Sequence, residues 1–480
     1  MTVVQNTKKV KGYECKHAQY RKSMMNANND VLMVKEIIHY EDGTTEPNIK
    51  LLYNYERPFW FTKSGFQKHD DKKEWESQKR LDKYMTTQAR LPQAIAKAMG
   101  RPGMQGSLKM LARSQYLYGC DITTPVIIKQ KYMSTFPNCI TENKVAVLDI
   151  ETNVHSKEQE ILMVAITLKD KAYVAVTKEF LGDTVDVENR LQAMFRKYLG
   201  DMEMPDPKHK GKTIQVDLVT KRNMKLQIEI VDTPGQAAAA AIRKAHEWMP
   251  DIIAVWNVDF DLTKIMDALE KEGYDLGEVF SDPKIPKEFR TARYIRGPAQ
   301  RVTEGGKVLS LHMAERWHTM DSLSSFYFFC AMATYRKLRV AKGNEPNYKL
   351  DSILKKHLGM RKLKFDDLMA EKHPDAKDGS LKWHQIMQKE FKLEYMVYNL
   401  FDCISVEMLD EKTGDLGKAI SALTGISEYA KFPSQPRRLA DNIHFTCLAK
   451  GDVIGTTSDQ MVDANDALVL PVTDWINKAA

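Results

Sequence analysis

No stretch of this 480-residue chain approaches the roughly 20 consecutive apolar residues that a membrane-spanning helix needs; the longest candidate is the short run from Phe326 to Ala333. The sequence therefore predicts no membrane partner. The first residues, Met1 to Lys16, are polar and basic with no apolar core, which predicts a cytoplasmic rather than a secreted protein. Six cysteines are scattered without a C-x-x-C pair, so neither a zinc ribbon nor a disulfide scaffold is supported. Gly211-Lys-Thr213 has Asp206 where a phosphate-binding loop needs glycine, and Gly100, Gly103 and Gly106 have the wrong spacing for a dinucleotide fingerprint. No repeat of 20 to 50 residues is visible. Charged residues at 28% and 18 prolines exclude collagen-like, coiled-coil and wholly disordered classes.

What is present begins with an uneven charge. Residues 1–140 carry 23 Lys and Arg against 13 Asp and Glu, an excess of +10, while the remainder sums to −3. A polyanionic partner and a solvated lysine-rich surface both fit that excess. Residues 1–142 alternate short strand-like runs (Val31 to His39, Ile49 to Tyr55) with Lys-rich stretches that read as helices (Lys72 to Tyr84, Leu91 to Met99), predicting a small α+β domain. Residues 143–410 read as an α/β domain with a mixed sheet and flanking helices. Its strands are expected at Val145 to Asp149, Ile161 to Leu168, Ala172 to Thr177, Ile214 to Val219, Lys225 to Val231 and Ile252 to Trp256. Helices are expected at Val187 to Leu199, Gly235 to Trp248 and Leu262 to Lys271. An inserted ribbon is expected at about 290–311, turning at Gly305-Gly306. Beyond it the chain reads as mostly helical, and residues 411–480 as a weakly patterned connecting tail.

Three groups of carboxylates carry the chemistry. Asp149-Ile-Glu151 ends an apolar strand, and side chains two apart on a strand share a face, so two like charges emerge where a buried run stops. Asn257-Val-Asp-Phe-Asp261 follows another strand at the start of a helix, where Asp261 serves either as a ligand or as a cap, with Asp259 competing for the cap. Tyr398-Asn-Leu-Phe-Asp402 lies in a helical run and places a Tyr and an Asp four apart on one face. Each is weak alone. Jointly, Asp149, Glu151, Asp261 and Asp402 form an all-oxygen donor set for two Mg²⁺ or Mn²⁺ ions, the arrangement for in-line hydrolysis at phosphorus, with Tyr398 orienting the attacking water. Phe260 is a candidate to stack on an unpaired base, packing being the alternative.

In this order and context the three motifs resemble the exonuclease motifs of family B DNA polymerases, whose 3′–5′ proofreading domain is ribonuclease H-like. The related histidine subtype has His five residues before its last Asp; here that position is Val397, with Tyr398 one residue on, so the tyrosine (DEDDy) subtype is the one resembled. Met320-Asp-Ser-Leu323 and Tyr348 to Gly359 are similar to helical segments before the third motif, and the 290–311 ribbon occupies the place of the hairpin that phage-type members use to move a primer end. The resemblance covers about 143–410, and 1–142 is similar in size to the family's N-terminal domain.

The resemblance implies DNA, as a single-stranded or frayed 3′ primer end, with Asn257 and Phe260 as contact residues. The family's polymerase motifs do not occur in these 480 residues. This implies the exonuclease portion of a split polymerase of viral or phage type, partnered by a second chain carrying palm, fingers and thumb and by other replication proteins. Tyr429 to Pro433 and Ile443 to Ile454 are similar to the segment leading to the palm, and Leu468 to Trp475 is a candidate contact. The alternatives are a stand-alone 3′–5′ exonuclease and a non-catalytic DNA-binding or assembly subunit.

Overall fold

The computed structural model describes residues 8–456, apart from 104–105, 207–208, 210 and 304; the 468–475 stretch lies outside them. The chain is a mixed α/β protein of two compact units, one holding residues up to 139 and those from 424 onward, the other 140–423. No helix among the described residues is long and apolar enough to cross a membrane.

In the first unit, Val10–Lys22, Asp30–Tyr40 and Thr45–Tyr53 form an antiparallel sheet. The helix Thr124–Thr135 packs on it through Ile128 and Tyr132, against Ala18, Leu32 and Val34. A second sheet centres on Glu56–Thr62, flanked by Leu81–Thr87 and Leu117–Tyr118. Lys72 to Tyr84 is not the helix its composition suggests. Trp75–Ser77 pairs with Asp452–Ile454, and Leu81–Thr87 pairs with Glu56–Thr62, so cross-strand partners override local propensity. The expected connecting tail also differs: from residue 424 the chain belongs to this unit, adding the helix Gln435–Lys450 and that last strand. Gln78 Nε2 donates to the Leu448 carbonyl at 3.0 Å across 370 positions of sequence.

The second unit is built on one six-stranded sheet. Its strands are β1 (Val145–Thr152), β2 (Ile161–Leu168), β3 (Lys171–Thr177), β4 (Lys225–Val231), β5 (Ile252–Val255) and β6 (Tyr327–Cys330), in the order β4-β3-β2-β1-β5-β6. Only β2 runs against the others. All eight residues of β2, Ile-Leu-Met-Val-Ala-Ile-Thr-Leu, are buried, which requires both faces of the sheet to be covered. Helix α1 (Pro234–Trp248) packs on β2 and β3; its row of alanines lets it approach closely, and the Thr233 side chain caps it by accepting from the Gln236 N–H. Helices α2 (Val258–Lys271), α3 (Leu381–Glu390) and α4 (Lys392–Thr413) complete the frame, α4 lying along β1 and β2.

Several expectations fail for identifiable reasons. β6, Tyr-Phe-Phe-Cys, was hidden in a stretch read as helical, because a short fully apolar run has no period to betray it. Met320 to Leu323 is not helical: Thr319–Ser322 is a strand paired with Ala292–Ile295. The 290–311 ribbon is accordingly shorter, its hairpin being Gln300–Val302 with Val308–Ser310 around Gly305-Gly306. Residues 214–219 divide between the strand Thr213–Val216 and the short helix Leu218–Arg222, which Asp217 caps.

Register places the site. Pairing of β1 with β5 stops at Val147 and Ala254, whereas pairing with β2 continues, with Asp149 opposite Ala165 and Glu151 opposite Met163. Asp149 thus lies just past the last residue of β1 that pairs with β5, at the carboxyl ends of parallel neighbours, the side on which α/β sheets bind ligands. Ile166 is fully buried opposite Leu148 at the centre of this frame. Ile166→Ala should cost about 2–5 kcal/mol, read as a lower urea midpoint for unfolding of the full chain; an unchanged midpoint would remove β2 from the structural centre.

Candidate functional site

Helix α4 brings the third motif onto β1. Tyr398, Asn399 and Asp402 lie three, four and seven residues after Tyr395, so the four form a single stripe on a helix whose residues from Tyr395 to Leu409 are buried. Such a row of polar groups inside a packed helix needs partners, and the end of β1 supplies them. Asn399 Nδ2 donates to Asp149 Oδ2 at 2.8 Å, and the Tyr395 hydroxyl donates to Glu151 Oε2. Asp402 is buried nearby, and one ligand atom from each of Asp149, Glu151 and Asp402 lies within 4.8 Å of the others.

Asp261 falls outside that group but adjoins it. It occupies the first turn of α2, where the helix dipole favours negative charge, is only 5% exposed, and has the backbone N–H of Ile150 favouring its charged form. Asp259, its competitor in sequence, is engaged elsewhere: Tyr294 Oη donates to it at 3.0 Å and Arg296 Nε at 3.2 Å. Asn257 takes the N-cap position of α2 without a side-chain capping bond. Phe260 is 40% exposed, so its ring is not core filling.

Lys362 was not foreseen. It sits in the loop after the helix Leu350–Leu358, its backbone N–H held by Asp351, and its ammonium donates to Asp402 Oδ2 at 2.5 Å and to the Tyr398 hydroxyl at 3.0 Å. Nothing in Arg361-Lys-Leu-Lys364 separates this lysine from a solvated basic loop. Tyr395 and Asn399 were also missed, although the helical stripe they share with Tyr398 and Asp402 was readable from spacing alone.

Electrostatics follow from crowding. Removal from water and then the nearby Asp402 raise Asp149 to about 7, a push that Lys362 and Asn399 only partly oppose. Glu151 and Asp261 are held well above the ordinary carboxylate range by burial and then by Asp149. Asp402 is raised by burial, against the pull of Lys362. Burial alone would lower Lys362, but Asp402, Tyr398 and Asp149 together hold it well above its usual value, so it stays charged. Tyr398 is raised by burial and by Asp402, so its phenol keeps its proton. Asp402 Oδ1 is buried with no hydrogen-bond partner. An orphaned carboxylate oxygen among other carboxylates, with no His or Cys among the donors, fits a hard divalent cation. The buried acidic cluster could therefore hold a metal ion.

A carboxyl group whose pKa rises on folding stabilises the fold least once pH exceeds that raised value. Without divalent cations, Asp149 should therefore cost stability progressively from about pH 4 to 7. In EDTA, Asp149→Asn should gain stability relative to the unsubstituted chain as pH goes from 5 to 8, measured as the difference in melting temperature, and Mg²⁺ should shrink that gain at pH 8. A difference independent of pH would show that the group ionises freely. No family model matches the chain and no curated protein matches it, so the reading of this site rests on its own residues and geometry.

Proposed function

We propose that the chain is a 3′–5′ DNA exonuclease that removes terminal nucleotides by two-metal-ion phosphodiester hydrolysis, with Asp149, Glu151, Asp261 and Asp402 holding two Mg²⁺ or Mn²⁺ ions. The observation that carries this is the meeting of Asp149, Glu151 and Asp402 within 4.8 Å, with a protonated tyrosine one helical turn from Asp402. Such ions lower the pKa of water and offset charge on a leaving oxygen.

The protein's own groups do the rest. Tyr398 orients the attacking water through its hydroxyl, whose oxygen is fixed by Lys362. The same ammonium offsets charge at Asp402 and near the scissile phosphate. Asn399 fixes the orientation of the Asp149 carboxylate. Phe260, half-exposed beside Asp261, offers a ring face to an unpaired terminal base, with Asn257 next to it.

In this reading the six-stranded mixed sheet is a ribonuclease H-like fold of the tyrosine subtype, and the chain serves proofreading during DNA replication in a family B polymerase. Polymerisation itself belongs to residues other than these 480, on a second chain bearing palm, fingers and thumb. The basic excess of residues 1–140 supports a nucleic-acid partner.

With Mg²⁺ and a 3′-mismatched primer-template, the purified chain should shorten the primer from its 3′ end and, given all four nucleotides, should not extend it. Asp149→Ala with Glu151→Ala should slow excision by about 10³-fold, the kinetic equivalent of several kcal/mol of lost metal stabilisation, while sparing DNA binding. Undiminished cleavage by the double variant would sink the assignment. Full activity without any polymerase chain to co-purify would favour a stand-alone nuclease.

A further inference from the structure

The Tyr395 phenol has three side-chain partners beside the candidate centre. Tyr395 is completely buried, its ring parallel to that of Tyr398 with centroids 5.8 Å apart. A phenol has one hydrogen to give and two lone pairs to fill. The hydrogen goes to Glu151 Oε2, while His384 Nδ1 lies 2.9 Å and Gln388 Nε2 3.3 Å from the same oxygen. Gln388 cannot turn over, because its Nε2 also donates to the Thr152 carbonyl at 2.8 Å and its Oε1 accepts from the Val154 N–H at 3.1 Å. With the phenol hydrogen given to Glu151 and Gln388 fixed, the remaining lone pair of the phenol can only accept, so Nδ1 is the nitrogen of His384 that carries a hydrogen. His384 is uncharged at neutral pH, since burial and then Lys362 lower it to about 4. Both supporting residues lie on α3, which Gln388 also fastens to the backbone at the end of β1.

We propose that Tyr395 is the positioning residue of Glu151, and that α3, through His384 and Gln388, sets the direction of its hydroxyl and so the affinity of the centre for divalent cations. This rests on the reading of Asp149, Glu151 and Asp402 as cation ligands. The three carboxylates are then held differently: Asp402 by a cation, Asp149 by an amide, and Glu151 by a phenol that is itself oriented from a separate helix. Outer groups that orient a metal-binding side chain typically contribute 10- to 100-fold to metal affinity. A ring that served only to fill space would contribute nothing through its oxygen.

Calorimetric titration of the full chain with MnCl₂, without DNA, separates these roles. Tyr395→Phe keeps the ring and removes only the hydroxyl; it should weaken Mn²⁺ binding about 10-fold and shift the Mg²⁺ dependence of excision upward by a similar factor, with most of the rate recovered at saturating Mg²⁺. Tyr398→Phe should do the reverse, lowering the saturated rate and leaving the titration unchanged. His384→Leu should weaken Mn²⁺ binding in the same direction as Tyr395→Phe, and His384→Asn, which keeps a donor near Nδ1, should restore part of the loss. Tyr395→Phe with unaltered Mn²⁺ affinity, whatever its urea midpoint, would overturn the proposal. If the unsubstituted chain binds Mn²⁺, Tyr395→Phe weakens it and neither cleaves DNA, the positioning role stands and the exonuclease reading falls. If the unsubstituted chain takes up no Mn²⁺, both fall together.

Discussion

Carboxylates that share a site away from water repel one another, and the carboxyl end of the central sheet is arranged around that repulsion. Asp149, Glu151, Asp261 and Asp402 would carry four negative charges against the single charge of Lys362. The fold accepts this because rigid elements impose it. A strand buried on both sides fixes Asp149 and Glu151, the first turn of α2 fixes Asp261, and a helix of 22 residues fixes Asp402. None can withdraw without breaking the packing that stabilises the unit. Charge must therefore be balanced by protons or by metal, and the same pressure that raises the pKa values creates affinity for cations.

The distribution of donors around the cluster is uneven in a way that suits this balance. Among the described residues, Asp402 is the acid of the cluster that hydrogen-bonds a cation, whereas Asp149 and Glu151 receive neutral donors that orient a carboxylate without neutralising it. An arginine or lysine on each acid would have satisfied the charges internally and left little attraction for an ion. The packing of Trp383 against Tyr398, with ring centroids 5.2 Å apart, keeps the aromatic layer in place while the polar edges remain committed.

Much of this was legible in the sequence where periodicity or motif spacing is strong. The strands at 161–168 and 225–231 and the helix at 187–199 fall on the residues that pattern alone selects, and the carboxylates of motifs one and three meet as their order implied. What was hidden is long-range. Lys362 reaches the site by a loop whose composition looks like ordinary surface, and β6 is four apolar residues that only a neighbouring strand defines. The Lys-rich 72–84 segment becomes extended through partners that include residues 452–454, nearly the whole described chain away. Local propensity cannot report such pairings.

That last pairing bears on how the molecule is made. The first unit is interrupted in sequence by the whole of the second, and its final strand and helix arrive only from residue 424 onward. During synthesis the early sheets must wait, with edges such as Trp75–Ser77 unpaired, while some 280 residues of another unit emerge and find their own core; domains form as units in the order of synthesis. The interrupted unit can thus close only after the second has emerged, although its own strands start before it. Its many surface lysines would then act as a guard against association of those open edges during the delay.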